Sequence, residues 1–331
     1  MKAEVSQDSE ENVSKPLANS GVPVVKKFSV YGDFWTRLHA AAVRQCPFFI
    51  EPILLAFHTV LFFLLCSGTR KPVIDNLSVL FPESSRLINT FRAFRVFWNF
   101  ANSITDAVYC REGDNIIDWE IEGDEYFQNF TATEDGAIVL TAHMGNYDIA
   151  APMFANKFGK KLNAVRAPER DPVRQKYMQE KFSEEATDDY EVRYNADDKF
   201  LGIDLVRALI DGEYIAVQGD RVLFDVSPLK VPLKSLPGLH MNIPKGPFVL
   251  ALTSRVAMLP LFAVRVGRRR YRIIVLPEFR CERTSRDHEQ AIEQAASQWV
   301  EVLLPVIRQY WFQWYVFEPA FFKNQESGAR S

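Results

Sequence analysis

An α/β fold with a mostly parallel central sheet flanked by helices, behind an N-terminal helical region that associates with membranes, is what this 331-residue sequence predicts. Three observations carry that prediction. From Trp119 onward, short apolar runs alternate with helical segments, the pattern of strands joined by crossover helices. Ahead of this alternation lies the most apolar window of the chain, Cys46 to Cys66. Between the two, residues 82–109 place apolar side chains at helical spacing, with Arg86, Arg92 and Arg95 on the other side, as in an amphipathic helix.

The elements follow in order. Residues 1–28 are polar, rich in Ser, Glu, Asn and Lys, and read as a flexible tail; they lack the apolar core of a signal peptide. In "CPFFIEPILLAFHTVLFFLLC", Pro47, Glu51, Pro52 and His58 interrupt the apolar run, and the part from Ile53 to Cys66 is well short of the roughly 20 residues a spanning helix needs. A buried core helix, a monotopic or re-entrant membrane helix and a span all stay open for it. Basic residues on both sides (Arg37 and Arg44, then Arg70 and Lys71) give no orientation. Ser84 or Ser85 opens the amphipathic helix. "WEIEG", "AIVLTAH", "LNAVR", "YEVRY" and "YIAVQGD" read as strands, separated by helices ending at Phe158, near Pro172 to Glu185 and near Phe200 to Asp211. A loop follows, then a helix from about Gly246 to Arg255 and two strands parted at Gly267. A long helix from near Thr284 runs into "YWFQWYVFEPAFF". The organisation is thus a tail over 1–28, a helical membrane-associating region over 29–110, a catalytic domain over 111–323 and a flexible end over 324–331.

Apolar residues make up 47% of the chain, and 26 Phe against 11 Tyr and 6 Trp imply much aromatic surface to bury or to offer to lipid. A net charge of -3 argues against a nucleic-acid partner. Basic residues nevertheless outnumber acidic ones between Arg221 and Arg286, with the run Arg268, Arg269, Arg270; that face is either solvated surface or a site for an anionic partner. Four dispersed cysteines with no C-x-x-C indicate neither a zinc site nor a disulfide framework, and no metal or cofactor is expected.

The chemistry gathers at "AIVLTAHMGNYD". A buried strand ends at His143, and a helix resumes after Gly145 and Asn146 with Asp148 in its first turn. Strand ends followed by helix starts are where reactive groups collect in open α/β sheets. An imidazole can take a proton from an alcohol or amine near neutral pH, and a carboxylate on its other nitrogen fixes its tautomer. Asp148 can fold back to serve as that carboxylate. The spacing alone is weak, since His288 and Glu293 repeat it inside a polar helix opening. No G-x-S-x-G, H-E-x-x-H, G-x-x-x-x-G-K-[ST] or G-x-G-x-x-G is present, so the histidine would act on a hydroxyl or amine brought by the substrate.

Six segments carry a resemblance. "HMGNYD" resembles the H-x4-D/E box of the lysophospholipid acyltransferase superfamily, and specifically of the bacterial lipid A biosynthesis (lauroyl/myristoyl) acyltransferases. "RKPVIDNLSVLFPESS", "NAVRAPERDP", "VQGDR", "GPFVLALTSRVAMLPLFAVR" and "YWFQWY" are similar to further segments of that family in order and spacing, from about Arg70 on. The resemblance implies a glycerolipid acyltransferase type of fold, with His143 as general base and Asp148 as its partner. Gly145, Asn146, Arg166, Asp220, Arg221 and Gly246 become candidate substrate-binding residues. It implies transfer from an acyl carrier protein or coenzyme A thioester to a lipid acceptor, at the cytoplasmic face of the bacterial inner membrane. Two departures stand out: those enzymes usually carry Glu at the place of Asp148, and an Arg about ten residues after the proline matching Pro172, where this chain has Lys181 and Phe182. A thioesterase-like hydrolase and a non-catalytic lipid-binding protein are the alternatives.

Overall fold

The computed structural model describes residues 41, 45, 47, 49–111, 117–169, 172–195, 200–222, 228–282 and 287–324; the tail expected over 1–28 and, apart from Asn324, the end expected over 324–331 lie outside the described residues. Three helices come first: α1 (Glu51–Leu65), α2 (Ser67–Leu80) and α3 (Arg86–Arg111). Pro52 in the first turn of α1 suits a helix start, because its missing N–H would have no partner there. At Cys66 the chain turns by 90° into α2, and among the described residues no single helix is long and apolar enough to cross a membrane. Ser85 opens α3, its Oγ accepting the Ile88 N–H at 3.3 Å. The three helices share a core with the C-terminal segment: Phe63, Val73, Ile74, Leu77, Val96 and Phe97 pack with Tyr315, and Phe63 is edge-on to Phe97 at 5.2 Å.

The domain behind them is α/β, with a mostly parallel central sheet. Its strands are β1 (Asp118–Glu122), β2 (Ala137–Thr141), β3 (Leu162–Arg166), β4 (Tyr190–Tyr194), β5 (Tyr214–Gln218), β8 (Ala257–Gly267), β9 (Arg270–Val275) and β10 (Phe279–Arg280), in the order β1-β9-β8-β2-β5-β3-β4 with β10 on β8. From β8 to β4 all pairings are parallel; β9 and β10 run antiparallel to β8. Central β2 explains itself: Ile138 and Leu140 point into one core, Ala137 and Val139 into the other, so a strand buried on both faces needs an unbroken apolar run. Helices α4 (Asp124–Thr131) and α5 (Tyr147–Ala155) cover one face. Helices α7 (Leu201–Ile210), α8 (Gly246–Ser254) and α9 (His288–Gln309) cover the other, and α6 (Pro172–Glu185) leads into β4. Trp299 of α9 is fully buried and stacked on Phe262, ring centroids 5.7 Å apart.

Two sequence expectations change. The loop between Asp220 and Gly246 contains a hairpin, β6 (Pro228–Pro232) with β7 (Leu239–Pro244), and the C-terminal β11 (Phe321–Lys323) joins β7 to make a second, antiparallel sheet. Prolines at both ends of β6 and at the end of β7 mask the strands in the sequence. The run Arg268–Arg270 is not a free basic surface either. Arg268 and Arg269 both pair with Glu51 at the start of α1 (3.3 and 2.9 Å), and the Arg269 guanidinium lies 4.2 Å from the Tyr109 ring centroid. A basic turn thus holds the apolar helix to the sheet.

Candidate active site

The register of β2 against β5 builds the site. Thr141 stands opposite Gln218, and two residues further along the parallel pair His143 and Asp220 leave the sheet side by side. The His143 backbone N–H donates to Asp220 Oδ2 (3.0 Å), and its Nδ1 lies 2.7 Å from Asp220 Oδ1. Trp314 Nε1–H adds a third bond to Oδ2 at 3.0 Å. Asp220 is 1% exposed. Burial pushes its pKa up, but the adjacent imidazole and its N–H, Arg221 and the Trp314 donor outweigh burial and hold the carboxyl below its ordinary value. An ionised Asp220 can only accept, so Nδ1 carries the proton and Nε2 keeps the lone pair. Arg221 Nε–H donates into that lone pair at 3.2 Å.

The turn after His143 is held from three sides. Gly145 adopts φ +57°, and a Cβ there would fall 1.9 Å from the Ala263 carbonyl oxygen, so only glycine fits. Its N–H donates to the Gln313 carbonyl, and the Tyr315 N–H donates to the His143 carbonyl at 2.8 Å. Buried Asn146 donates from Nδ2 to the Ser103 carbonyl of α3 (3.0 Å) and to the Tyr271 hydroxyl (3.4 Å). Tyr271 in turn donates to buried Asp106, which also pairs with Arg265.

Asp148 does not meet the expectation of a local dyad. Its carboxylate pairs with Arg166 at the end of β3, and the carboxylate bonded to His143 is Asp220. The reason is directional: from the first turn of α5 the Asp148 side chain faces the exit of β3, whereas the imidazole Nδ1 turns toward β5. Burial raises the Asp148 pKa, but Arg166 and Arg111, the Arg166 N–H and His143 prevail and keep it below its ordinary value. Arg111, from the end of α3, pairs with Glu185 of α6. At the place where the resemblance expects an arginine, the Phe182 ring lies 4.5 Å from the Arg166 guanidinium carbon and 5.7 Å from that of Arg111. Lys181 pairs with Glu184 instead. Asp148 and Arg166 line a small cavity of mixed character, together with Thr141, Tyr147, Ala151, Tyr190 and Gln218.

The structure therefore brings His143, Asp220 and Arg221 together and sets Asp148 and Arg166 beside them. Gly145 and Asn146 shape the turn. Gly246 is exposed at the first turn of α8 and is not part of the hydrogen-bonded cluster. Sequence reasoning missed Trp314, Tyr315 and Glu318, the last pairing with Arg221 at 2.7 Å. The aromatic C-terminal segment was a visible signal, but its place against Asp220 is set by tertiary contacts alone.

Comparison with known proteins gives the class first: this is an acyltransferase, an enzyme that moves an acyl group to a lipid acceptor. Residues 23–321 match the model of the bacterial lipid A biosynthesis acyltransferases, and the chain belongs to that family. A search of curated proteins gave no match.

Proposed function

We propose that this enzyme transfers a fatty acyl group from an acyl carrier protein or coenzyme A thioester to a hydroxyl or amine of a membrane-borne glycolipid, with His143 as general base. The supporting observation is the imidazole at the end of β2, with Nδ1 2.7 Å from the Asp220 carboxylate and Nε2 facing the Arg221 N–H. The acceptor O–H or N–H gives its proton to Nε2 as its oxygen or nitrogen bonds to the thioester carbonyl carbon. The tetrahedral intermediate collapses with loss of the C–S bond, and the imidazolium returns the proton to the departing thiolate. No acyl-enzyme forms. Asp220 holds the tautomer and stabilises the imidazolium. Asp148 acts at one remove, keeping Arg166 in place to meet an anionic group of either substrate.

Attachment to the cytoplasmic face of the inner membrane is part of the same reading. Ile53, Phe57 and Leu64 project from α1 and Leu87 and Phe91 from the start of α3, each more than 60% exposed. Exposed apolar side chains concentrated on neighbouring helices suit an interfacial membrane contact. The test is comparative lipid mass spectrometry of wild-type and deletion cells, followed by assay of the purified protein with acyl-ACP, acyl-CoA and the lipid that changes. Loss of one acyl chain from one glycolipid is the expected result; an unchanged lipid profile together with thioester hydrolysis alone would favour the hydrolase.

A further inference from the structure

The lone pair that the mechanism needs is occupied. Arg221 Nε–H donates to His143 Nε2 at 3.2 Å, and the same guanidinium donates from Nη1 to Glu318 Oε2 at 2.7 Å. A guanidinium only donates, so it cannot take a proton from a hydroxyl or relay one, and the base is idle while Arg221 stays. The latch is anchored. The Glu318 carbonyl accepts from Asn76 Nδ2 of α2 (2.8 Å), and Asn76 Oδ1 accepts the Ala320 N–H (3.0 Å). The moving parts lie toward solvent, with side-chain exposures of 21% for Arg221 and 52% for Glu318 against 10% for His143 beneath them.

We propose that Arg221, retained by Glu318, caps the base against water and so makes the site selective for its acceptor over hydrolysis. This rests on the reading of His143 as general base. The reaction held back is hydrolysis: water gives a proton to Nε2, its oxygen bonds to the thioester carbonyl carbon, the C–S bond breaks and the imidazolium protonates the thiolate, leaving a fatty acid. Water arrives with no binding energy beyond its one hydrogen bond. An acceptor held by the rest of the site presents its hydroxyl at high effective concentration and can displace the Arg221 N–H where water does not.

The test reads access to Nε2 directly. Substrate-free wild type, Arg221→Ala and Glu318→Ala are treated with diethyl pyrocarbonate, and carbethoxylation of each histidine is followed by peptide mass spectrometry, with exposed His288 as internal reference. Glu318→Ala removes only a half-exposed side chain, so it keeps the test valid if Arg221→Ala fails to fold. His143 should react about tenfold faster in both variants, the value of roughly one hydrogen bond, with His288 unchanged. With acyl-ACP and acceptor present, the ratio of hydrolysis to transfer should rise in the same variants. Equal His143 reactivity in wild type and in folded variants would overturn the cap. Faster reaction in the variants, with no acyl transfer by wild type on any thioester, would uphold the cap and remove the function proposed above.

Discussion

Asp220 and His143 are joined twice, ring to carboxylate and backbone to carboxylate, so the acid fixes both the tautomer of the imidazole and the path of the chain that carries it. Asp220→Asn cannot accept all three of the N–H donors that Asp220 now satisfies. Its kcat should fall by about 10² to 10⁴, the usual range for loss of general base catalysis. Steady-state kinetics beside a melting curve checks this, because the fall should far exceed what the change in stability explains.

Trp314 touches Asp220 and no reacting atom, so it is a positioning residue. Trp314→Phe removes one charge-assisted N–H, worth roughly 1.5–3 kcal/mol where it is made to a buried carboxylate. The expected signature is a lower kcat with KM nearly unchanged. A raised KM at constant kcat would instead assign the indole to substrate binding.

Asp148 and Arg166 give a pH-dependent stability. The Asp148 pKa is lower in the folded protein than in the unfolded chain, so the pair contributes fully above the ordinary carboxylate pKa, and the contribution is lost as pH falls through the depressed folded value. Asp148→Asn leaves a largely buried guanidinium uncompensated and should cost about 3–5 kcal/mol at pH 7. Urea unfolding of both proteins at several pH values from 7 downward should show that difference shrinking only in the acid range. A difference independent of pH would mean that the ion pair is not its source.

The membrane contact should be tested by point changes, since removing residues before Arg111 would also take Asp106 away from Arg265 and Tyr271. Replacing Ile53, Phe57 and Leu64 by serine should weaken sedimentation with anionic phospholipid vesicles by more than about tenfold, as each buried apolar side chain is worth roughly 1.5–3 kcal/mol. Unchanged binding would take α1 out of the account.

The fold was legible wherever one segment explains itself. The all-apolar "AIVLT" announces a central strand, and "LNAVR", "YEVRY" and "YIAVQ" stand where they were read. The pairing of His143 was not legible, because it depends on β5 lying beside β2, and strand order is a property of the whole sheet. Asp148 looked like the partner because it is near in sequence; Asp220 is the partner because it is near in the sheet. Arg268 and Arg269 read as surface for the same reason, since Glu51 is distant in the chain. Helix α2 was hidden by its polar composition and by Pro72 inside it.

The most direct measurement is acyl transfer by purified His143→Ala against wild type, with a labelled acyl-ACP and the acceptor identified from cells, and circular dichroism to show that the fold persists. Transfer should drop to the no-enzyme background while the melting temperature stays near that of wild type. Wild-type rates of transfer by folded His143→Ala would contradict the account.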